Sequence, residues 1–264
     1  MNTLKIFRTS LLVAGLSLTG FACSDDTATD DDDNTQQATT PPDDDTETTD
    51  GTETTAPSDG SCLTARETAI GPIDSVSDGA INILIDNDGD RTAIVNAQAG
   101  GFNAQRNNPW LYIDLDTMTR VDVTDMDAFE DTTWDVAVKR IGWRTNSGDS
   151  GPGMGGAIWL NGAIFEDVTA ESIVNQSFAT EVWFDENCNY ETDQTGALVT
   201  SFGDDWYNYQ SMVVTPRTGV FIIQGRDGES LYKLEVERYY SLPDGEAGTP
   251  GIDSARYRLR VQAL

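Results

Sequence analysis

From Ser254 to Val261 the chain alternates without a break: Ala255, Tyr257, Leu259 and Val261 fall on one side of an extended strand, and Arg256, Arg258 and Arg260 on the other. A period of two cannot serve a helix, whose apolar residues must recur every three or four positions. It calls for a sheet with one packed face and one solvated face, which is the antiparallel arrangement. The segments Met212–Thr215, Gly219–Gln224 and Leu231–Tyr240 read as strands, joined by the turn-forming runs PRTG and RDGES. The C-terminal third is therefore expected to be an antiparallel meander. Strand signals recur upstream at Ala80–Ile85, Thr92–Asn96, Trp110–Leu115, Arg120–Val123, Trp134–Thr145, Ala157–Leu160 and Glu181–Phe184. Val168–Asn175 carries a helix pattern, with Thr169 as N-cap and Ile173 and Val174 apolar. Leu63–Ile73 fits a short helix or an irregular entry strand equally well. The expected fold class is all-β: antiparallel sheets with a C-terminal meander and one or two short helices.

The stretch Thr132–Gly156, TTWDVAVKRIGWRTNSGDSGPGMGG, joins a strand to a glycine-rich loop. On a period of two, Trp134, Val136 and Val138 share one face, whereas Ile141 and Trp143 fall on the other with Ala137. This change of phase at Lys139–Arg140 predicts a bulge, or a strand passing between two packing environments. Gly148, Gly151, Gly153, Gly155 and Gly156 crowd around Met154. So much glycine reads as a long exposed loop carried by a buried strand, a description that fits plain surface loops and binding loops alike. Asp86–Asp90, DNDGD, has the first three carboxylates of a calcium loop, but Arg91 stands where that loop needs glycine and Ala97 where it needs glutamate. It is expected to be a solvated turn.

Lys5 and Arg8 precede an apolar run, Leu11–Phe21, about half as long as a membrane span. Gly20-Phe21-Ala22-Cys23 places small residues before a cut at Cys23 and resembles a bacterial lipoprotein box, with Gly20 replacing the usual leucine. Residues 1–22 are expected to be a signal peptide and Cys23 the lipidated residue, so that the membrane is met through the lipid anchor alone. Ser24 after the cysteine points to the outer membrane or cell surface; a secreted or periplasmic protein is the alternative. Ser24–Ser61 contains 13 acidic residues and no Lys or Arg. Such a stretch cannot bury enough apolar surface to offset the entropy of ordering it, so 23–61 reads as a disordered acidic tether with a coil span of roughly 35 Å. The folded domain is expected over 62–264.

That domain holds 14 Lys and Arg against 32 Asp and Glu, a net charge of −18. Nucleic-acid binding needs the opposite balance. Histidine is absent from the whole chain, which excludes every mechanism built on imidazole as base, relay or metal ligand. No nucleophile elbow, phosphate loop or dinucleotide fingerprint appears either, and the chain reads as non-enzymatic. Of its three cysteines two remain after Cys23. In an exported protein Cys62 and Cys188 are expected to form a disulfide, with free thiols or a metal site as the alternatives.

The blocks WDVAVKRIGWRTNSGDSGPGMGGA, NPWLYIDLDT and AIVNAQAGG resemble the HmuY family. So does the closing segment, in which DDWYNY precedes a strand, a turn and the pattern Tyr232, Lys233, Leu234, Val236, Tyr239, followed by ARYRLRVQAL. The similarity spans about residues 90 to 264. It implies an all-β, haem-binding lipoprotein of the bacterial surface that takes haem from a host haemoprotein and passes it to an outer-membrane receptor. Members of the family hold the iron between two histidines or two methionines. Without histidine, this chain is left with thioether ligation. Met154 lies near the family's ligand position and is the candidate axial ligand, with Tyr190 or Met212 as second ligand; Met118 and Met126 lie near turns, and Arg140 or Arg144 would face the propionates. The ligand is expected to be haem or a related porphyrin, otherwise none. An envelope protein-interaction module of the same fold is the alternative.

Overall fold

A computed structural model describes residues 62, 71–189 and 206–264. The expected signal peptide, Cys23, the tether, Leu63–Ile70 and Tyr190 lie outside these residues. Twelve strands are described: β1 (Ile81–Asn87), β2 (Asp90–Asn96), β3 (Leu111–Asp114), β4 (Thr119–Val121), β5 (Val136–Lys139), β6 (Gly142–Thr145), β7 (Gly156–Asn161), β8 (Tyr207–Gln210), β9 (Val213–Pro216), β10 (Gly219–Gln224), β11 (Leu231–Tyr240) and β12 (Ser254–Ala263). One sheet has the order β1-β2-β12-β11-β10-β7, a second β4-β3-β5-β6, and β8 pairs with β9 alone. All of these pairings are antiparallel. The all-β class and the meander β10–β11–β12 stand as expected. Helical structure among the described residues is confined to single 3-10 turns. The helix expected at Val168–Asn175 shrinks to one such turn, Ala170–Ile173, behind its Thr169 cap.

The main core lies between the two larger sheets. Ala93, Val95, Tyr257, Leu259, Val261, Leu234, Val236, Phe221 and Ile223 meet Leu111, Ile113, Val136, Val138 and Trp143 there. The odd residues of β12 supply this face, as their alternation requires. Its arginines are not simply solvated. Arg256 pairs with Asp253 at 2.7 Å, Arg258 with Glu237 at 2.5 Å, and Arg260 with Asp90 at 2.7 Å and Glu166 at 2.5 Å. The DNDGD turn closes the β1–β2 hairpin with Asp88 and Gly89 both at positive φ, and Asp86 is engaged by Arg91 at 3.0 Å. It is a turn, as expected.

The phase change at Lys139–Arg140 is neither a bulge nor a strand crossing between environments. Lys139 pairs with Gly142, Val138 with Trp143 and Ala137 with Arg144, so the segment is a tight hairpin closed by Arg140 and Ile141. Arg140 takes φ 55°, a left-handed position that a two-residue loop needs, and its backbone is held by Ala97 O and by the Tyr257 hydroxyl. Chain reversal keeps opposite partners on one face, which is why Val136, Val138 and Trp143 enter the main core together. Trp134 does not share that face: it precedes β5 and packs behind the small sheet with Tyr112, Val123, Ala128 and Ala137. Glu181–Phe184 is not a strand either. Its backbone donors go to side chains, Trp183 N to Asp149 Oδ2 at 2.6 Å and Glu181 N to Ser147 Oγ at 3.2 Å.

Candidate functional site

The glycine-rich loop is not the exposed loop that its composition suggests; it is wound around Asn146. Asn146 is fully buried and donates its two amide hydrogens to Asp131 O and Trp134 O, each at 2.9 Å. Its Oδ1 accepts from Gly153 N and its backbone carbonyl from Gly155 N, both at 2.9 Å. A Cβ at position 151, 153 or 155 would come within 2.3, 2.6 or 2.8 Å of an Asn146 oxygen. The glycines are there because backbone must approach backbone. Met154 points outward, as Pro152 also does, and is 65% exposed. Its N–H donates to Arg226 O at 2.9 Å, and its thioether lies over Gly228 in the β10–β11 turn.

Behind the loop, the strap 179–184 clamps its base. Asp149 N donates to Glu181 O at 3.0 Å, and Ala157 and Ala179 form a bridge. The Glu181 carboxylate is buried and accepts from Thr145 N at 2.8 Å and Trp183 Nε1 at 3.1 Å. Burial pushes it up to about 7, against those hydrogen bonds and the charge of Arg144. Arg144 is buried too, its guanidinium 4.7 Å from the Trp110 ring, 5.1 Å from Tyr112, 5.8 Å from Trp134 and 5.9 Å from both Trp183 and Phe129. It donates to the Tyr112 hydroxyl, which donates to Asp125 Oδ1 at 3.0 Å. The Cys62–Cys188 disulfide forms, and Cys62 packs on the cluster of Phe129, Trp183 and Phe184. Among the described residues no group of three or more Cys, Asp or Glu is arranged to hold a metal ion.

The loop, the hairpin and the strap all fall inside residues 106–254, the span matched by the family model described as HmuY protein. The chain belongs to the HmuY family. This is a family of surface-associated binding proteins; the match takes in the blocks NPWLYIDLDT and WDVAVKRIGWRTNSGDSGPGMGGA and the segment through Tyr239, while AIVNAQAGG and ARYRLRVQAL lie outside it. No curated protein matches the chain.

Within that family frame the residues singled out from sequence separate. Met154 stands at the end of the large sheet where β10 turns into β11. Met212 is 82% exposed, so it is not core filling; it caps the β8–β9 hairpin at φ 62°. That hairpin is held at the opposite end of β11, where Tyr240 Oη accepts from Val214 N at 2.9 Å. Ten residues of β11 separate the two ends, roughly 30 Å at strand rise. Met154 and Met212 are not brought together. Met118 is core, 1% exposed, and Met126 is half-exposed beside a 3-10 turn. Arg144 is closed inside its aromatic box, and Arg140 Nη1 donates to Ser254 O at 3.0 Å. Sequence reasoning missed Asn146, Glu181 and the enclosure of Arg144. The first had a signal: glycines at alternate positions just after a buried asparagine mark a close backbone approach.

Proposed function

We propose that this chain is a surface-tethered, non-enzymatic binding lipoprotein that takes haem or a related flat porphyrin through thioether rather than imidazole ligation. Met154 carries the reading: an exposed thioether on a rigidly built loop, inside the family's own segment, in a chain without histidine. Met212 is too far away to ligate the same iron, which leaves Tyr190 or solvent for the second axial position. Lipidation at Cys23, an outer-membrane or cell-surface location, and exchange with a host haemoprotein and a receptor belong to the same proposal.

Titrating haemin into the purified protein should give a saturable Soret shift. Met154→Ala should weaken binding by at least about tenfold, a loss of roughly 1.4 kcal/mol. No saturable shift, or a variant that binds as wild type does, sinks this reading. One observation favours the second, an envelope protein-interaction module of the same fold. Arg226, whose backbone carbonyl accepts from Met154 N, is committed to Asp135 at 2.8 Å and Asp114 at 3.5 Å, so a propionate would have to compete for it. A haem-silent protein that cross-links to a defined outer-membrane partner would move the assignment there.

A further inference from the structure

Met154 sits between two glycines, and both are bonded to the same residue. Gly153 N reaches Asn146 Oδ1, and Gly155 N reaches Asn146 O. The amide hydrogens of Asn146 run the other way, to Asp131 O and Trp134 O, so the carboxamide ties the loop to the segment entering the hairpin. All three of its polar demands are met by fixed backbone groups, and reversing it would put donors against donors. The glycines leave the loop no room to slide over Asn146. With 153 and 155 pinned, the direction in which the side chain of 154 leaves the backbone is fixed, and it lies across Gly228, where a Cβ would stand 3.3 Å from its Cε and 3.5 Å from its Sδ.

We propose that Asn146 is the positioning residue for the Met154 thioether and holds it as a preformed soft donor. The proposal deepens the thioether reading and takes its ligand from it. A neutral sulfur is a modest ligand, so little affinity is available to order a wandering side chain when the iron arrives. Groups behind a ligand that fix its orientation commonly change affinity by about ten- to a hundredfold.

The test uses full-length protein with methyl-13C methionine, the Met154 signal being identified among the five methionines by its loss in Met154→Ala. Asn146→Asp keeps the acceptor for Gly153 N and loses both donors. Gly153→Ala leaves Asn146 intact and puts a methyl 2.6 Å from its carbonyl oxygen; this half-buried loop change carries the test if the first variant does not fold. Both variants should move the Met154 methyl toward its free-peptide position and weaken haemin binding about tenfold, while the methyl of the core residue Met118 stays in place. An unmoved Met154 methyl in folded variants overturns the proposal, and so does a moved methyl with undiminished haemin affinity. A moved methyl in a protein whose wild type binds no haemin removes the haem reading and leaves the positioning role standing.

Discussion

Arg144→Ala is expected to cost about 3–5 kcal/mol of folding stability in urea denaturation, the range for removing one partner from a buried charged network. The guanidinium is 1% exposed and fills a box of five aromatic rings. Its loss opens a cavity, breaks the chain through the Tyr112 hydroxyl to Asp125, and strips the buried Glu181 of its neighbouring cation. Arg144→Met should recover much of this. It refills volume with a flexible apolar chain, and Arg144 Nε and Nη1 have no hydrogen-bond partner among the described residues to forfeit. What Met cannot replace is charge, and that part should depend on pH. Glu181 is raised in the folded state, to about 7 from 4.5. A carboxyl shifted this way favours folding at pH values below its unfolded value, and that advantage is lost as pH rises through the folded one. Removing the cation raises Glu181 further. The Met variant should therefore trail wild type by more at about pH 8 than at about pH 5, and an equal deficit at both would mean that Arg144 acts through packing alone.

How much of this was legible in the sequence depends on whether a residue's partners are near in the chain. The alternation of β12 and the limits of β10 and β11 are local, and the structure repeats them. β5–β6 was half legible: the phase change was visible, but a hairpin and a bulge produce the same signal, and what decides is Arg140 at positive φ held by Ala97 O and Tyr257 from elsewhere in the chain. β8 carries no clean period, since it pairs with β9 alone and leaves Asn208, Tyr209 and Gln210 exposed. The glycine loop misled because glycine marks both freedom and close approach, and Asn146 decides for the second. Glu181 could not be read at all: its donors come from Thr145 and Trp183, and one carboxylate among many has no distinguishing neighbour in sequence. Of the site, Met154 was visible as a residue type and place, and the machinery that fixes it was not.

Removing the Cys62–Cys188 bond should lower the midpoint of thermal unfolding by about 10–20 °C. The bond joins residues 126 apart with Cα atoms 5.1 Å apart. Closing a loop of that length in the unfolded chain is worth about 5 kcal/mol on the chain-entropy account, and a domain of this size loses about 2–4 °C per kcal/mol. The native side should change much less. The strap that leads to Cys188 has its own ties: Trp183 N and Phe184 N to Asp149 Oδ2 at 2.6 and 3.2 Å, and Thr145 N to the Glu181 carboxylate at 2.8 Å. Trp183 and Phe184 also pack on Phe129, a contact between rings to which Cys62 adds only at the edge as a partly buried neighbour. The double variant Cys62→Ala/Cys188→Ala is therefore expected to keep the native near-ultraviolet spectrum at 25 °C while melting earlier. A shift below about 3 °C would show that the unfolded chain is already compact enough to hold these ends together. A lost native spectrum would place the contribution of the bond in the strap itself, and the Glu181 and Arg144 network would then depend on the disulfide rather than stand beside it.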